Sequence, residues 1–343
     1  MTARIAVIGG GSNVEHDVSL ASAEGVAAAL TRRGYAVERL TIGRDGEWTA
    51  GEPAGRGTGE GPEFGASTGS GMRRRRAQGL AVATEVLTEA DAVFPAVHGP
   101  LGEDGALAAL CALAGVPVVG SGHVAGAIGM DKHFSKLIAR DVGVRTAAGR
   151  VVTMSDGDSI ELDGEAVVKP VASGSSHGVS LVRGLDDLGA ALAGACAVDA
   201  SGGRALVEPL VRGREIDVAV LREADGTRWA APALEIHASG LFDTATKYDG
   251  SARFTVPAEL RADEAMALER AALAVFDAFG CRGVARIDFF LTADGPVFNE
   301  INTMPGLTPA SQVPRMFAAA GVDYEELVHR LVQGALRGRR AQA

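Results

Sequence analysis

The sequence predicts an α/β first half built on a parallel sheet, followed by an α+β second half. The first half rests on a strand at 4–8, a glycine loop, an Ala-rich helical stretch from Val18 to Leu30 and a second strand from Tyr35 to Ile42. Strands that alternate with helices form mainly parallel sheets covered by helices. The second half rests on a long series of strand-like segments. A chain of 343 residues is long enough for two or three domains.

Two short apolar segments complete the first half. AVFPAVH (92–98) and VPVVG (116–120) favour strands, and ALAALCALAG between them favours a helix. The glycines from Gly120 to Gly129 predict a domain boundary. The Gly-rich segment 43–79 predicts a surface loop, in which we interpret Arg73 to Arg76 as a solvated charge run.

The second half contains two predicted helices among its strands. One helix begins at Asp131, and the other spans 262–279. The strand-like segments lie at 151, 167–169, 180–182, 205–208, 215–221, 229–236, 284–291 and 297–302. No segment repeats at a fixed period, which excludes solenoid architectures.

The composition excludes several classes of partner. A net charge of −10 argues against nucleic acid, because that binding needs basic residues to neutralise phosphates. No window approaches the ~18 consecutive apolar residues of a membrane span, and the first residues lack the features of a secretory signal. We therefore expect a cytoplasmic protein that binds small molecules. Only four of the 33 basic residues are lysines, namely Lys132, Lys136, Lys169 and Lys247.

The segment ARIDFFLTADGPVFNEIN (285–302) predicts a β-hairpin with a polar face. Its period of two places Arg286 and Asp288 on one side of the first strand, and Glu300 and Asn302 on one side of the second. Carboxylate and amide oxygens are ligands that Mg²⁺ accepts beside nucleotide phosphates. Arg286 is placed to stabilise negative charge that develops nearby. An exposed sheet face with routine salt bridges is the alternative interpretation.

The segment VVKPVASGSSHGVS (167–180) predicts a loop that could bind phosphate. A buried strand ends at Lys169, and Pro170 interrupts it. The following glycines, with Ser175 and Ser176, offer backbone N–H groups and hydroxyls to phosphate oxygens. The chain lacks the Gly-Lys dipeptide of a Walker A motif, and an ordinary surface loop is the alternative.

Two glutamates flank a turn between predicted strands. Glu208 ends one strand and Glu215 begins the next. Both could accept hydrogen bonds from the adenine amino group and the ribose hydroxyls of a nucleotide. Solvated strand ends are the alternative interpretation.

Further polar residues lie beside predicted strand ends and turns. Glu15 follows a glycine loop at a helix start, where the helix dipole favours a carboxylate that could hold a substrate ammonium. His98 lies beyond the carboxyl end of a strand, the usual ligand edge of a parallel sheet, although a structural hydrogen bond is equally compatible. Lys247 and Tyr248 lie in a polar loop that could also be an exposed turn.

Taken in order, these segments resemble the D-alanine:D-alanine ligases of the ATP-grasp superfamily. The matching motifs are GGGSNVEHDVSL, HGPLGEDG, GSGHVAGAIGMDK, KPVASGSSHGVS, the glutamates at 208 and 215, TKYDG, RIDFFL and NEINTMPG. They span the chain except for about 43–79. The resemblance implies a three-domain ATP-grasp architecture with a Rossmann-like first sheet, divided into 1–120, 121–211 and 212–343. ATP would lie between the second and third domains.

The resemblance also implies roles for the matched residues. The ATP-binding residues would be Lys132, Lys169, Ser175, Ser176, Glu208, Glu215 and Lys247. Two Mg²⁺ ions, or Mn²⁺ in their place, would be held by Asp288, Glu300 and Asn302. The catalytic groups would be Glu15, Ser175, Tyr248, Arg286 and the backbone of Gly306. The amino-acid substrates would contact Glu15, His98, Arg286 and Ser311.

The implied reaction joins two molecules of D-alanine for peptidoglycan precursor synthesis. The first carboxylate accepts the γ-phosphoryl group of ATP and becomes an acyl phosphate, which the amine of the second molecule attacks. Arg286 would stabilise the tetrahedral oxyanion. We expect a homodimer that binds neither nucleic acid nor membranes.

Four positions depart from the motifs of the family. Phe242 and Thr244 replace tyrosines found in some relatives, His177 replaces an apolar residue, and Gln312 stands where leucine is frequent. These differences leave another D-amino acid open as the second substrate. A D-alanyl-D-lactate depsipeptide is also open, although Tyr248 favours an amine.

Two other classes of protein stay open at this stage. One is an inactive nucleotide-binding protein with a regulatory role, which the complete set of polar residues disfavours. The other is an NAD-dependent oxidoreductase, which is disfavoured because Val14 takes the third glycine position of the dinucleotide fingerprint.

Overall fold

The first sheet is built around β1, a largely buried strand that pairs with a parallel strand on each side. The computed structural model describes residues 2–51, 69–237 and 253–340. The strands are β1 (Arg4–Gly10), β2 (Ala36–Ile42), β3 (Trp48–Ala50) and β4 (Ala92–Pro95). Their order is β3-β2-β1-β4, with β1 parallel to β2 and β4, and β3 antiparallel to β2. The predicted parallel sheet is confirmed.

Helices cover both faces of this sheet. They are α1 (His16–Arg32), α2 (Gly69–Glu89) and α3 (Ala106–Leu113). Alternate residues of β1 enter two different apolar clusters, since Ile5 packs with α1 whereas Ile8 packs with α2 and α3. The near-continuous apolar run of β1 follows from this double coverage.

The prediction of a loop through residue 79 was wrong. Arg73 to Arg76 lie on α2, where their side chains are exposed. The helix is stabilised further along by Ala83 and Leu87, which are fully buried against the sheet. Arginine is a good helix former, so the charge run extends the helix instead of breaking it.

The glycine-rich segment from Gly120 to Gly129 is largely helical, where the sequence predicted only a boundary between domains. Most of this segment forms α4 (His123–Met130), which leads through Asp131 into α5 (Lys132–Asp141). Its glycines allow close packing, because a Cβ at Gly126 would lie 2.7 Å from the backbone nitrogen of Gly105. The Asp131 side chain caps α5 by accepting hydrogen bonds from the His133 and Phe134 backbone N–H groups.

A four-stranded antiparallel sheet forms the central part of the chain. Its order is β5-β8-β6-β7. The elements are β5 (Arg150–Val152), a 3₁₀ turn (Met154–Ser159), β6 (Ala166–Pro170), β7 (Ser180–Val182), α6 (Leu185–Val198) and β8 (Ala205–Pro209). Leu188, Leu192 and Ala195 of α6 pack on one face of the sheet. The opposite face is free to form the wall of a cavity.

A larger antiparallel sheet follows. Its order is β12-β11-β9-β13-β14, and β10 also pairs with β9. The elements are β9 (Arg214–Arg222), β10 (Arg228–Ala230), β11 (Leu234–His237), β12 (Arg253–Thr255), α7 (Ala262–Ala278), β13 (Val284–Thr292) and β14 (Gly295–Asn302). The single strand predicted at 229–236 is therefore two strands, with 231–233 between them.

The last two helices return to the first sheet. They are α8 (Gln312–Ala319) and α9 (Tyr324–Arg340). Leu327, Val328 and Leu331 of α9 are buried in the same cluster as Ile5 and Leu30. No helix within the described ranges is long and apolar enough to cross a membrane.

We expect Phe298→Ala to destabilise the protein by about 3–5 kcal/mol, because the substitution leaves a large cavity in a fully buried site. Phe298 is fully buried, and its ring meets that of Phe289 edge to face with centroids 6.3 Å apart. Urea unfolding followed by circular dichroism measures the effect. Met266→Ala is the control, since Met266 is 65% exposed, and we expect a change within about 0.5 kcal/mol. Equal effects of the two substitutions would contradict this description of the core.

Candidate functional site

Two adjoining cavities lie where the three sheets meet. The first cavity, of about 460 Å³, lies between the central sheet and the β9–β13–β14 sheet. The second cavity, of about 530 Å³, lies between the loops of the first sheet and the start of α8. Both are lined by Lys132, Ser173, Gly174, Arg286 and Glu300. A group bound in one cavity can therefore reach a group bound in the other.

A carboxylate between two ammonium groups forms the inner wall of the first cavity. Glu208 Oε1 lies 2.9 Å from Lys136 Nζ, and Glu208 Oε2 lies 2.7 Å from Lys169 Nζ. Lys169 Nζ also donates to the side-chain oxygen of Asn299 at 3.1 Å. Glu208 is 4% exposed, so the alternative of a solvated strand end does not hold.

The charges of this triad act on each other. Burial alone would raise the pKa of Glu208, but Lys169 and Lys136 lower it below its usual value. Burial and the neighbouring Lys169 lower the pKa of Lys136 to about 8. The Glu208 carboxylate is therefore ionised. Together with Lys136 and Lys169 it forms a group of three residues with a net positive charge, which favours an anionic ligand.

Sequence analysis did not assign a role to Lys136. The residue lies four positions after Lys132 on α5, so both ammonium groups lie on one side of the helix. It was one of only four lysines in the chain. The spacing and the scarcity of lysine together were the signal that could have identified it.

The β13–β14 hairpin has the polar face that its period of two predicts. Arg286 lies opposite Asn302, and Asp288 lies opposite Glu300. Arg286 Nε and Nη2 donate to the two oxygens of Asp288, both at 2.7 Å. Asn302 Nδ2 donates to the same carboxylate at 3.0 Å. The face lines the cavities, so the alternative of an exposed sheet face does not hold.

Arg286 is surrounded by carboxylates. Asp217 of β9 is 2% exposed, and its Oδ2 lies 3.4 Å from Arg286 Nε. Burial alone would lower the pKa of Arg286, but Asp288 and Asp217 raise it well above its usual value. Sequence analysis missed Asp217, although it is two residues from Glu215 and therefore on the same face of β9. The guanidinium is permanently charged.

Lys132 neutralises the second carboxylate of the hairpin. Its Nζ lies 3.3 Å from Glu300 Oε2 and donates to the backbone oxygen of Ser173 at 2.7 Å. Across the described ranges, no three His, Cys, Asp or Glu side chains converge as they do around a metal ion. In this arrangement, Arg286 and Lys132 supply the positive charge beside Asp288 and Glu300.

The loop between β6 and β7 (171–179), called the serine loop, closes over the second cavity. Ser175 and Ser176 have left-handed backbone angles, with φ of 51° and 54°. This conformation is uncommon for residues other than glycine and directs the Ser175 hydroxyl toward the first sheet. Ser175 Oγ donates to Glu15 Oε1 at 2.5 Å. A Cβ at Gly174 would lie 2.7 Å from Glu15 Oε2, so glycine is required for this close approach.

His98 lines the second cavity but uses both ring nitrogens within the protein. Nδ1 lies 3.1 Å from the backbone oxygen of Met304, so it carries the proton and donates. Nε2 therefore accepts from the hydroxyl of Ser22 at 2.8 Å. Burial lowers the pKa of His98, which keeps the ring neutral. His98 therefore makes structural hydrogen bonds, and its ring also forms part of the cavity wall.

Glu103 is a second carboxyl in the same cavity that sequence analysis did not assign. Its Oε1 accepts from the Gly99 backbone N–H at 2.9 Å. Burial raises the pKa of Glu103 to about 8, and Glu15 contributes to the increase. Its place in the motif HGPLGEDG was the available signal. Glu103 and Glu15 thus line the same cavity.

The start of α8 forms the far wall of the second cavity. Ser311 is the residue before the helix, and its Oγ accepts from the Thr308 backbone N–H at 3.1 Å. Gly306 is adjacent, since a Cβ there would lie 3.2 Å from Ser311 Oγ. Gln312 also lines this cavity, and its Oε1 accepts from Arg286 Nη1 at 2.8 Å.

Two further residues assigned from the sequence lie in the site, and four others lie outside the described residues. Ser176 and Glu215 line the first cavity. Lys247 and Tyr248 lie outside the described residues, as do Phe242 and Thr244. The structure thus brings together Glu15, His98, Lys132, Lys169, Ser175, Ser176, Glu208, Glu215, Arg286, Asp288, Glu300, Asn302, Gly306 and Ser311.

Comparisons with known proteins identify the family to which this chain is similar. The family models described as D-ala D-ala ligase N-terminus and C-terminus match residues 4–121 and 161–333. The D-alanine–D-alanine ligase of Mycobacterium avium (strain 104) is 40% identical, over 97% of this chain and 96% of that protein.

Two solved structures share the fold over the whole chain. The VanG D-Ala:D-Ser ligase from Enterococcus faecalis has a TM-score of 0.79 and 28% identity, covering 98% of this chain and 100% of that one. The D-alanine–D-alanine ligase from Bacillus anthracis, complexed with ATP, has a TM-score of 0.75 and 26% identity, covering 100% of both chains. With an ATP-grasp fold, two adjoining charged cavities and matches across its length, the chain belongs to the D-alanine–D-alanine ligase family.

Proposed function

We propose that this protein uses ATP to join two molecules of D-alanine through an acyl phosphate, forming D-alanyl-D-alanine. The observation that carries the proposal is the meeting of two cavities at Lys132, Arg286 and Glu300. A phosphoryl donor in the first cavity and an amino acid in the second would react at this junction. The product would serve peptidoglycan precursor synthesis.

The first cavity takes the nucleotide. Lys132 and Lys169 contact phosphate oxygens, supported by Lys247 and the loop at Ser176. Glu208 accepts a hydrogen bond from the adenine amino group, and Glu215 accepts one from a ribose hydroxyl. The position of Glu208 supports its assignment to the nucleotide. Its carboxylate lies between Lys136 and Lys169 and lines the first cavity between the two sheets.

The residues of the hairpin fit divalent cations. Asp288, Glu300 and Asn302 supply hard oxygen ligands, the kind that Mg²⁺ and Mn²⁺ prefer. Register supports the fit, since Asp288 faces Glu300 across the two strands. When bound, the ions would screen the charge of the phosphates and so make the phosphoryl group accessible to a carboxylate.

The second cavity takes both amino acids. Glu15 binds the ammonium of the first D-alanine. Ser175 and Tyr248 complete a hydrogen-bonded triad with Glu15. The ring of His98 lies beside this substrate. Arg286 and the Gly306 backbone N–H stabilise the tetrahedral oxyanion. Ser311 binds the carboxylate of the second D-alanine. The hydrogen bond from Ser175 to Glu15 supports the first assignment.

Closure of the serine loop protects the intermediate. An acyl phosphate reacts readily with water, so the junction between the cavities must exclude solvent after phosphoryl transfer. The loop at Ser175 already contacts Glu15 across the second cavity. The second amine then attacks the acyl carbon, phosphate leaves, and Arg286 holds the oxyanion between these steps.

The second substrate has alternatives within the same chemistry. The VanG D-Ala:D-Ser ligase is a structural neighbour, so a D-amino acid other than D-alanine is the main alternative. A D-lactate depsipeptide is less favoured, because Tyr248 resembles the residue of ligases that use amines.

The remaining features of the protein are proposed on the same basis. We place domain divisions near residues 120 and 211, on either side of the central sheet. We also propose a homodimer that works in the cytoplasm, where ATP and the precursors of the cell wall are made.

We expect the wild-type protein to release phosphate from ATP in the presence of D-alanine and to form a dipeptide, which mass spectrometry identifies. Glu300→Gln should lower this turnover by roughly 100-fold or more, because an amide is a weaker ligand and carries no charge. Circular dichroism should show an unchanged fold. Glu269→Gln is the matched control, since Glu269 lies on the exposed side of α7. Full turnover by Glu300→Gln would refute the metal assignment.

We expect the stability of Glu103→Gln relative to the wild-type protein to increase as the pH rises. The pKa of Glu103 in the folded protein is about 8, against an ordinary value of 4.5. The folded state therefore holds a proton that the unfolded state releases, so the wild type loses stability as pH rises between these values. Glutamine is neutral throughout and keeps the oxygen that accepts from Gly99.

The measurement compares melting temperatures across this pH range. The melting temperature of Glu103→Gln relative to wild type should rise by roughly 5 °C or more from pH ~4.5 to pH ~8. Glu269→Gln should show no such trend. A difference that stays constant with pH would show that Glu103 does not have a raised pKa.

A further inference from the structure

Gln312 connects two parts of the site that act in the second half of the reaction. It is the first residue of α8, directly after Ser311, and it lines the second cavity. Its side chain also reaches Arg286 on β13, with 2.8 Å between Oε1 and Nη1. The side chain thus joins the proposed oxyanion site to the proposed carboxylate site.

The orientation of the Gln312 amide is fixed by chemistry. A guanidinium has only donors, so the atom that faces Arg286 Nη1 must be the amide oxygen. The amide nitrogen consequently points away from Arg286. Within the ranges that the structure describes, this nitrogen donates to no protein acceptor. It is a donor at the wall of a cavity that binds substrate.

The contact also restricts Arg286. Two of the five N–H groups of the guanidinium donate to Asp288, and a third donates to Gln312. Asp288 and Gln312 therefore fix the plane of the fork from two sides. Among the residues that the structure describes, the other two N–H groups donate to no acceptor, so they are available to an oxyanion, whose stabilisation depends on donors that are already oriented.

The carboxylate of the second amino acid needs more than one donor. Ser311 Oγ is already 2.7 Å from Thr308 Oγ1 and accepts from the Thr308 backbone N–H. Its hydroxyl can supply only one hydrogen bond. The next side chain along the same wall is Gln312, whose amide nitrogen has two N–H groups.

We infer that Gln312 positions both partners of the second half-reaction: its amide oxygen orients Arg286, and its amide nitrogen donates to the carboxylate of the incoming D-amino acid. The inference rests on the proposed function. It identifies a substrate-binding role for a residue that replaces the leucine frequent in related ligases. A leucine side chain has no hydrogen-bonding group and could perform neither task. Gln312 therefore makes the site of the second amino acid more polar in this chain.

Two substitutions separate the two tasks. Gln312→Met has nearly the same size and removes both hydrogen bonds. Gln312→Glu keeps an acceptor for Arg286, removes the donor and places a negative charge beside the second carboxylate. Gln78→Met is the matched control, because Gln78 is exposed on α2.

Two assays follow the two half-reactions. Hydroxylamine traps the acyl phosphate as a hydroxamate without needing the second amino acid, and dipeptide formation at varied D-alanine gives kcat and the KM of the second site. We expect Gln312→Met to form hydroxamate within about twofold of wild type. Its KM for the second D-alanine should rise by about 10-fold, and its kcat should fall.

Gln312→Glu should recover most of the kcat that Gln312→Met loses, because Arg286 is held again. Its KM for the second D-alanine should rise at least as much, because two carboxylates repel each other. Gln78→Met should match wild type in both assays.

Three results would overturn the inference alone. These are wild-type kcat and KM in Gln312→Met, a normal second KM in Gln312→Glu, or a parallel loss of hydroxamate and dipeptide in Gln312→Met. A wild-type protein that forms neither hydroxamate nor dipeptide would overturn the proposed function and this inference with it.

Discussion

The pairing of Arg286 with Asp288 is the interaction on which the arrangement of the site depends. Both residues lie on β13, the strand between β9 and β14. Asp217 of β9 also contacts Arg286, and Asn302 of β14 donates to Asp288. A buried guanidinium requires fully paired carboxylates, because an isolated charge in this position would be strongly unfavourable. Asp288 and Asp217 meet that requirement, and in doing so they fix the position of the guanidinium at the junction of the two cavities.

The same constraint organises the second cavity. Glu15 and Glu103 both line it, and only a limited amount of negative charge can be accommodated there. Burial and Glu15 shift Glu103 toward its neutral form, whereas Glu15 is held by the hydroxyl of Ser175. With its pKa raised, Glu103 adds little negative charge beside Glu15 at neutral pH.

Much of the fold could be predicted because its periodicities are local. The alternation in β13 and β14 placed Asp288, Glu300 and Asn302 on one polar face, as the structure confirms. The α2 helix could not be predicted, since its support comes from Leu87 packing on a sheet that is distant in sequence. The same holds for the site: the contacts of Gln312 with Arg286 and of Lys136 with Glu208 join residues that are far apart along the chain. Sequence spacing identified polar residue types, and tertiary packing determined their partners.

The return of α9 to the first sheet has a consequence for how the chain folds during synthesis. Ile5 and Leu30, near the start of the chain, complete their packing only when Val328 and Leu331 arrive. Until α9 leaves the ribosome, one face of the first sheet lacks part of its cover and exposes apolar side chains to water. The amino-terminal sheet therefore completes its packing only after α9 has been synthesised. Removal of the last helix would leave a protein with an open face at its beginning, far in sequence from the cut.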